Sequence, residues 1–568
     1  MSAETKTTGP DPITTEIVFN ALQSVADESF VALMKSAYST NIKERHDHST
    51  AIVDRNGRLV VQASGSIPIH LASMLGLMQK LLEKYPVSEI HEGDVFCAND
   101  PHVGGGTHLP DVNLAMPVFS DGELVGFVCN IAHHADVGGM SPGSMAGGMT
   151  SIYQEGLRIP LIKLFRRGVL DQDLFDLILL NVRVVEERRG DYNAQFAALR
   201  LAHRRLLEIV GRNGRETVEA VFDGIISRTH ARMKESIAAI PDGIYSFEDF
   251  MDNDGAGLDD IKIAVTITID GDSAVFDFTG TQEQVPGNVN IPLNGTIAAV
   301  CYVLKAMLDP EIPNNHGVID AVTVTAPPGT VVSCVEPASV ASRAHTSQRI
   351  VDVVIGALAD ALPDKAVGAA NGANSMAIFA GTDPRSGRPY VYLETLGGGF
   401  GGRNDRDGKD GVQVHITNTS NLPVEAIEME YPLLVEAYGL IEDSGGAGTW
   451  RGGAGLRRVV TPVGHDCVFT GIGERFRHQP WGVFGGKPGR SGHFSVRTKE
   501  GETKDMPTKF GDAPLRQGDS AIVETPGSGG YGPPEQRPAE TLAEDWNSGK
   551  FSAGFMREHY GWEAPPSD

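Results

Sequence analysis

The chain has 568 residues, of which 41% are hydrophobic and 21% are charged, and its formal net charge is −25. This composition is ordinary for a folded protein of roughly two to four domains and argues against intrinsic disorder. The strong negative charge argues against a nucleic-acid-binding protein, because such proteins need basic surface to neutralise phosphates.

The cysteines and the first residues bear on the cell compartment. The five cysteines lie far apart and no pair has CxxC spacing, so the sequence predicts neither a zinc–thiolate site nor a disulfide framework. The opening segment, "MSAETKTTGPDP", has neither the basic nor the apolar region of a signal peptide. No apolar run approaches the ~18 residues needed to cross a bilayer. We therefore expect a cytoplasmic protein without a membrane segment.

The first 140 residues predict helices and hairpins. Apolar residues recur at helical spacing over 13–39 and 71–84, which predicts a helix in each range. Two hairpins are predicted at Asn-Gly and Asp-Gly pairs, since these dipeptides tolerate the positive φ angles of a tight turn. Their turns lie at Asn56-Gly57 and Asp121-Gly122.

The remainder of the chain divides into a helical segment and a β-rich segment. Residues 172–240 have a helical pattern with breaks near Gly190 and Gly214, which predicts a helical hairpin or small bundle. From residue 242 to about residue 534, short strands alternate with Gly- and Pro-rich turns. The predicted fold is mixed α+β, an N-terminal α/β part with a helical segment followed by a β-rich C-terminal half. The predicted domains are 1–240, which includes 172–240, then 241–534, and a C-terminal arm over 535–568.

Histidines are concentrated in the N-terminal part. Eight of the 17 histidines precede residue 140, and several of them neighbour carboxylates. A mixture of imidazole and carboxylate groups suits Zn²⁺, Mn²⁺ or Fe²⁺ better than thiophilic metals. The N-terminal part is therefore predicted to bind a metal. The alternative is that each histidine is an ordinary surface or core residue. The three clusters are "ERHDHS" at 44–49, "GGGTHLPDV" at 104–112 and "IAHHAD" at 131–136.

The spacing within these clusters reduces the number of candidate metal ligands. In "THLPD" the proline stiffens a short loop, so His108 and Asp111 can turn toward the same point. His133 and His134 lie at a predicted strand end, where adjacent side chains point to opposite faces. Only one of them can easily face the metal, and the spacing does not say which. Asp47 precedes a predicted strand and could supply an anionic ligand.

No nucleotide-binding loop is predicted. "LGGGFGG" contains a GxGxxG pattern at Gly397, Gly399 and Gly402, but the residues that follow are charged and broken by glycine. A dinucleotide site needs a helix there to hold the pyrophosphate, so a tight loop is the better interpretation. The GxxxxGK[ST] pattern is also missing from the sequence. If ATP is used, this sequence offers no familiar place to bind it.

The ordered set of segments resembles the hydantoinase B family, over about residues 12–534. This family includes subunits of N-methylhydantoinase, caprolactamase, 5-oxoprolinase, and the acetone and acetophenone carboxylases. The resemblance implies an A-type partner with an acetate-kinase-like ATPase fold, which binds ATP and Mg²⁺ and phosphorylates the carbonyl oxygen. The segments are "NIKERHDHSTAIVDRNGRLVVQ", "IPIHLASM", "GDVFCANDPHVGGGTHLPDV", "NIAHHADVGG", "IYQEGLRIPLIKL", "GGGFGGR" and "GGAGTWRGGAGLRR".

The resemblance also implies roles for individual residues. Of the two adjacent histidines, it selects His133 as the metal ligand. The implied metal is a divalent ion, best matched by Zn²⁺ or Mn²⁺. The implied metal ligands are Asp47, His108, Asp111 and His133. The implied catalytic residues are His134 and Asp136, for proton transfer or ligand orientation, and Glu155 in the active-site wall, with Arg158 on the substrate. The alternative for His134 and Asp136 is purely structural packing.

The implied function is that of a B-type subunit in an ATP-dependent cyclic amidohydrolase. This subunit would hydrolyse the phosphorylated intermediate of a hydantoin or lactam at its metal site, within a heterotetramer or larger complex. One alternative is the metal-containing subunit of an ATP-dependent ketone carboxylase, although the length of 568 residues favours the hydrolases. A second alternative is a non-catalytic scaffold for the ATPase partner.

Overall fold

A computed structural model of the chain describes residues 10–563 and confirms the mixed α+β fold. The opening segment "MSAETKTTGPDP", for which the sequence predicts no signal peptide, lies mostly outside the described residues. The N-terminal part contains α1 (Pro12–Ser36), α2 (Thr40–Lys43), β1 (His48–Asp54), β2 (Leu59–Gln62), α3 (His70–Lys84), β3 (Val95–Ala98), β4 (Asp111–Ser120), β5 (Glu123–His133), β6 (Ile162–Arg166), β7 (Val169–Leu170), α4 (Gln172–Leu180), α5 (Val185–Asn213) and α6 (Arg215–Ala238).

These strands form one antiparallel sheet, in the order β2-β1-β5-β4-β3-β6-β7. Apolar residues of α1, α5 and α6 pack with one set of strand residues, and those of α3 pack with another, so both faces are covered. The turn between β4 and β5 lies at Asp121-Gly122, where φ is 53° and 83°. Both predicted hairpins are confirmed. In the second, Asp111 at the start of β4 pairs with His133 at the end of β5.

The predicted helix break at Gly190 is wrong. Helix α5 runs unbroken through this residue, and the interruption lies between α4 and α5 instead. Gly190 is needed for close packing, since a Cβ atom there would lie 2.2 Å from Cγ of Tyr38. The break at Gly214 is confirmed, and this residue separates α5 from α6 with φ of 82°.

Helix α1 is the only described helix long and apolar enough, by length and composition, to match a bilayer span. It packs along α5 in the structure. Its residues Val18, Leu22 and Val25 are buried with residues of the sheet. These apolar side chains therefore form part of the protein core.

The middle of the chain contains two buried helices that the sequence pattern did not predict, α7 (Leu293–Leu308) and α9 (Arg343–Leu358). A four-stranded sheet in the order β11-β10-β9-β8 packs against them. This core also includes Met233 and Ile237 of α6, so it extends across the boundary predicted at residue 241. The elements are β8 (Gly243–Asn253), β9 (Asp259–Asp270), β10 (Ser273–Asp277), α7 (Leu293–Leu308), α8 (His316–Asp320), β11 (Thr323–Thr325) and α9 (Arg343–Leu358).

The last part of the chain is rich in short strands, which form sheets of four and five strands in the orders β13-β12-β16-β19 and β14-β15-β20-β17-β18. Of the predicted arm over 535–568, the described residues hold two helices, α11 and α12. The elements are β12 (Ser375–Thr382), β13 (Pro389–Leu396), α10 (Val424–Glu430), β14 (Leu433–Leu440), β15 (Leu456–Pro462), β16 (Cys467–Ile472), β17 (His493–Arg497), β18 (Thr503–Asp505), β19 (Lys509–Leu515), β20 (Ser520–Glu524), α11 (Ala539–Asn547) and α12 (Ala553–Tyr560).

The "LGGGFGG" segment forms an irregular loop after β13, and no helix follows it directly. Its glycines allow backbone to pack on backbone. A Cβ atom on Gly399 would lie 2.1 Å from the carbonyl oxygen of Gly453, for example. The segment therefore lacks the helix that a dinucleotide site requires.

Candidate metal centre

Three of the predicted metal ligands come together in the buried interior. One ligand atom from each of His108, Asp111 and His133 can be chosen so that all lie within 4.8 Å of one another. Asp111 and His133 are brought together because they pair across the β4–β5 hairpin. His108 reaches the same point from the loop before β4, and its Nε2 lies 3.1 Å from Oδ1 of Asp111.

The chemistry of these atoms fits a cation. His108 Nδ1 lies 3.2 Å from the carbonyl oxygen of Ala341. Because a carbonyl only accepts, this contact places the proton of the neutral ring on Nδ1 and leaves a lone pair on Nε2. His108 Nε2 and Asp111 Oδ1 are both buried and have no hydrogen-bond partner. Their separation of 3.1 Å is close to the ~3.3 Å between two ligand atoms that each lie about 2.0–2.1 Å from a tetrahedral zinc.

Asp47 lines the same cavity as His108 and His133. His70 lies between the two carboxylates, with its Nε2 3.8 Å from Oδ1 of Asp47 and 3.7 Å from Oδ1 of Asp111. On its other side, His70 Nδ1 lies 2.9 Å from the hydroxyl of Ser49. The structure therefore places Asp47, His108 and His133 at one cavity, with Asp111 against His108, and adds His70, which the sequence analysis did not select.

A buried arginine neighbours the cluster. Arg343, at the start of α9, donates from Nη2 to Oδ2 of Asp111 over 2.5 Å and from Nε to the hydroxyl of Thr107 over 3.0 Å. One carboxylate oxygen of Asp111 thus accepts from Arg343, and the other lies beside His108 without a hydrogen-bond partner. No pattern in the sequence linked these residues, because they lie far apart in the chain.

Burial and charge set the protonation of the cluster. Burial alone would raise the pKa of Asp111, but His108, Arg343 and His70 outweigh it and hold that pKa well below its usual range. Burial lowers the pKa of His108 and His133. At neutral pH the cluster therefore offers neutral imidazoles and an anionic carboxylate, which are the forms that bind a metal.

The ring of His133 is held from behind by α2. The Asn41 side-chain amide nitrogen lies 3.0 Å from His133 Nδ1 and donates to the His133 carbonyl over 2.7 Å. Arg45 in turn donates to the oxygen of the Asn41 side chain. Because an amide nitrogen only donates, Nδ1 of His133 accepts from Asn41, and these contacts fix the orientation of the ring.

His134 and Asp136 do not reach the cavity. His134 Nε2 lies 3.0 Å from Oε1 of Gln195 on α5. The carboxylate of Asp136 accepts from the backbone N–H groups of Gly138 and Gly143, each over 3.0 Å, and from Arg183 Nη1 over 2.9 Å. Both side chains are engaged in structural hydrogen bonds, so the geometry favours a structural role and their catalytic role stays a prediction.

Glu155 is also engaged away from the cavity. Its Oε1 accepts from the hydroxyl of Ser339 and from the backbone N–H groups of Val340 and Ala341. Since Ala341 accepts from His108, Glu155 holds the segment that orients this ligand. A direct catalytic role for Glu155 likewise stays a prediction.

Arg158, predicted to contact the substrate, forms ion pairs outside the cavity. It pairs with Asp100, and its Nη2 lies 2.8 Å from Oε1 of Glu336. Arg158 is not among the residues that line the cavity. The geometry therefore gives its predicted substrate role no support.

The cavity beside the cluster combines apolar and polar walls, which suits a small molecule with one polar group. The apolar lining residues are Ile67, Ile69, Met145, Met376, Leu393 and Ile416. The polar lining residues outside the cluster are Arg343, Gln348, Asn374, Thr395, Thr417 and Thr419.

Known proteins share both the sequence and the fold of this chain. The B-type subunit of a putative D-/L-hydantoinase from Pseudomonas sp. strain NS671 is 32% identical over 567 residues, which is 97% of this chain and 95% of that protein. The crystal structure of the ATP-dependent caprolactamase from Pseudomonas jessenii matches with a TM-score of 0.92 at 30% identity, covering 98% of this chain and 97% of that one. A nucleotide-free acetone carboxylase matches in fold, with a TM-score of 0.89 at 20% identity over 97% of this chain and 79% of that one. The profile of the family described as Hydantoinase B/oxoprolinase matches residues 11–534, and the chain therefore belongs to this family.

Proposed function

We propose that this chain is the B-type subunit of an ATP-dependent cyclic amidohydrolase. The observation that carries the proposal is the buried cluster of His108, Asp111 and His133 beside a small cavity. Family membership supports it, as do relatives named as a hydantoinase component and an ATP-dependent caprolactamase. The substrate would be a hydantoin or a lactam.

In this proposal Asp47, His108, Asp111 and His133 hold a divalent metal, with Zn²⁺ or Mn²⁺ the best match to the donor set. When bound, such an ion polarises a carbonyl oxygen and lowers the pKa of a coordinated water toward about 7. The side chains of this protein orient the reacting groups. Arg343 restrains one oxygen of Asp111, and Ala341 fixes the His108 ring.

The proposal divides the chemistry between two polypeptides. Amide resonance makes a lactam carbonyl a poor electrophile, and phosphorylation of its oxygen creates a better leaving group. No phosphate-binding loop is found in this sequence, so an A-type ATPase partner would carry out that step with ATP and Mg²⁺. The two subunits would form a cytoplasmic heterotetramer or larger complex.

The test is ATP-dependent ring opening by this chain together with its A-type partner. We expect ADP and a ring-opened acid when hydantoin, caprolactam or 5-oxoproline is supplied with ATP. The chain without its partner should give neither product. No ring opening of any cyclic amide by a complex that hydrolyses ATP would contradict the proposal.

Labelled bicarbonate distinguishes the carboxylase alternative in the same assay. Incorporation of the label into the product from a ketone would identify a carboxylase. The acetone carboxylase structure supports a shared fold only, because its sequence identity is 20%. A scaffold without chemistry would tolerate alanine at all four proposed ligand positions.

A further inference from the structure

A buried arginine, Arg45, lies close to the cavity and contacts two of its lining residues. Arg45 lies after α2 and is fully buried. Among the described residues, no carboxylate oxygen lies within 4.0 Å of its guanidinium nitrogens, and its Nε atom has no hydrogen-bond partner. Its charge acts on Asp47 from more than 4.0 Å away, where it opposes the rise that burial causes in the pKa of that carboxyl. Burying a charge with so distant a counter-charge is costly, and an anion in the cavity would offset that cost.

The charges around the cavity single out this arginine. Arg343 is balanced by Asp111 through the contact of 2.5 Å. Asp47 faces His70 in the cluster and is one of the proposed metal ligands. Among the described residues, Arg45 therefore has no ion pair within 4.0 Å, and the more distant Asp47 is the carboxylate on which its charge acts.

Arg45 acts on the cavity through two threonines. Its Nη2 donates to the hydroxyl of Thr395 and, over 3.4 Å, to the hydroxyl of Thr419. Both threonines line the cavity. Each hydroxyl oxygen accepts from the arginine, and no described protein acceptor receives its hydrogen. Each hydroxyl is thus free to donate toward the cavity.

We infer that Thr395 and Thr419, with Arg45 behind them, form an oxyanion subsite in the cavity beside the metal centre. It would take the tetrahedral phosphoryl group or the planar carboxylate group of a substrate, since both accept hydrogen bonds from hydroxyl groups. Only the identity of the molecule that carries the oxyanion rests on the proposed function. The arrangement of arginine and threonines stands without it.

The probe is inorganic phosphate, with acetate measured in parallel. Binding of each anion to the full chain is followed by isothermal titration calorimetry after metal removal with a chelator, so that a metal cannot hold the anion. Thr395→Val and Thr419→Val remove a hydroxyl at nearly constant volume, and Thr419→Ser restores one. Thr40→Val is the matched control, because its buried hydroxyl lies 2.8 Å from Tyr431 Oη and does not line the cavity.

We expect wild-type chain and Thr40→Val to bind the anion equally, and each valine variant at the subsite to bind it more weakly by a factor on the order of 10 to 100. Thr419→Ser should bind as the wild type does. Phosphate binding would identify a phosphoryl subsite. Binding of acetate but not phosphate would identify a carboxylate subsite. Failure of wild type to bind either anion, or equal binding by the valine variants, would overturn the inference. Because ATP, cyclic amide and partner are not used, a failure of ring opening leaves this result unaffected.

Discussion

His133 and His134 are consecutive in sequence but lie in different environments. The ring of His133 is 5.0 Å from that of His108 beside the cavity, whereas the ring of His134 packs 4.6 Å from Tyr192 on α5. The cause is the alternation of side chains at the end of β5, which sends neighbours to opposite faces of the sheet. One histidine is thus available to a metal and the other belongs to the packing between sheet and helix.

The first prediction follows from this difference. His133→Gln should weaken metal affinity by a factor on the order of 100 or more, because it removes one of the few ligands. His134→Gln should leave metal affinity within a few-fold and instead lower thermal stability, since it disturbs the contact with Gln195. Competition with a chromophoric chelator measures the affinity. Equal metal loss in the two variants would contradict the assignment.

A second prediction concerns His70, which lies between the two carboxylates of the site. His70→Ala should reduce metal affinity by about 10- to 100-fold, because the carboxylates lose the group that separates and orients them. The fold should persist, since His70 begins α3 without capping it through its side chain. Metal titration alongside circular dichroism checks both parts. Metal affinity equal to that of the wild type would show that His70 does not support the site.

Sequence patterns predicted the parts of the fold where periodicity or turn chemistry is local. Helix α1 and the two hairpins are examples. Helix α9 was not predicted because its polar residues, including Arg343, Gln348 and Asp352, are buried in this protein, so the segment lacks the one-sided apolar pattern of a surface helix. His70 was not selected because its neighbours in "IPIHLASM" are apolar, and its partners Asp47 and Asp111 are distant in the chain.

The third prediction tests why α5 continues through Gly190. Gly190→Ala should destabilise the protein by about 1 kcal/mol, because the added Cβ atom displaces the exposed Tyr38 ring and this cost outweighs the better helix propensity of alanine. Gly211→Ala in the same helix is the control, since nothing lies within 4 Å of a Cβ atom there. It should be neutral or stabilising by about 0.5 kcal/mol. Chemical unfolding midpoints measure both, and equal effects would contradict the packing argument.

The fourth prediction is a pH dependence from Glu155. Burial raises its pKa from 4.5 to about 7, outweighing the hydrogen bonds from Ser339 and the backbone N–H groups of Val340 and Ala341. Between these pH values the folded chain binds more protons than the unfolded chain, so stability falls as pH rises through this window. The loss is on the order of 3 kcal/mol.

Glu155→Gln removes this titration while keeping an oxygen that can accept the same hydrogen bonds. Its stability relative to that of the wild type should therefore increase as pH rises from about 5 to about 8. The midpoint of urea unfolding at several pH values in that range measures the difference. Parallel pH profiles for the two proteins would show that Glu155 is already ionised at low pH in the folded state.

The most direct test of the proposed function separates ATP use from ring opening. The complex is assembled with wild-type chain, with Asp111→Asn, and with His134→Gln as control, and ADP and ring-opened product are measured separately. We predict that Asp111→Asn retains ADP formation while ring opening falls on the order of 1,000-fold, because the Lewis-acid contribution of several kcal/mol is lost. Ring opening by the His134→Gln complex near the wild-type rate would support a structural role for His134, and a comparable loss would support its predicted catalytic role. Ring opening at the wild-type rate by the Asp111→Asn complex would contradict the assignment of hydrolysis to this chain.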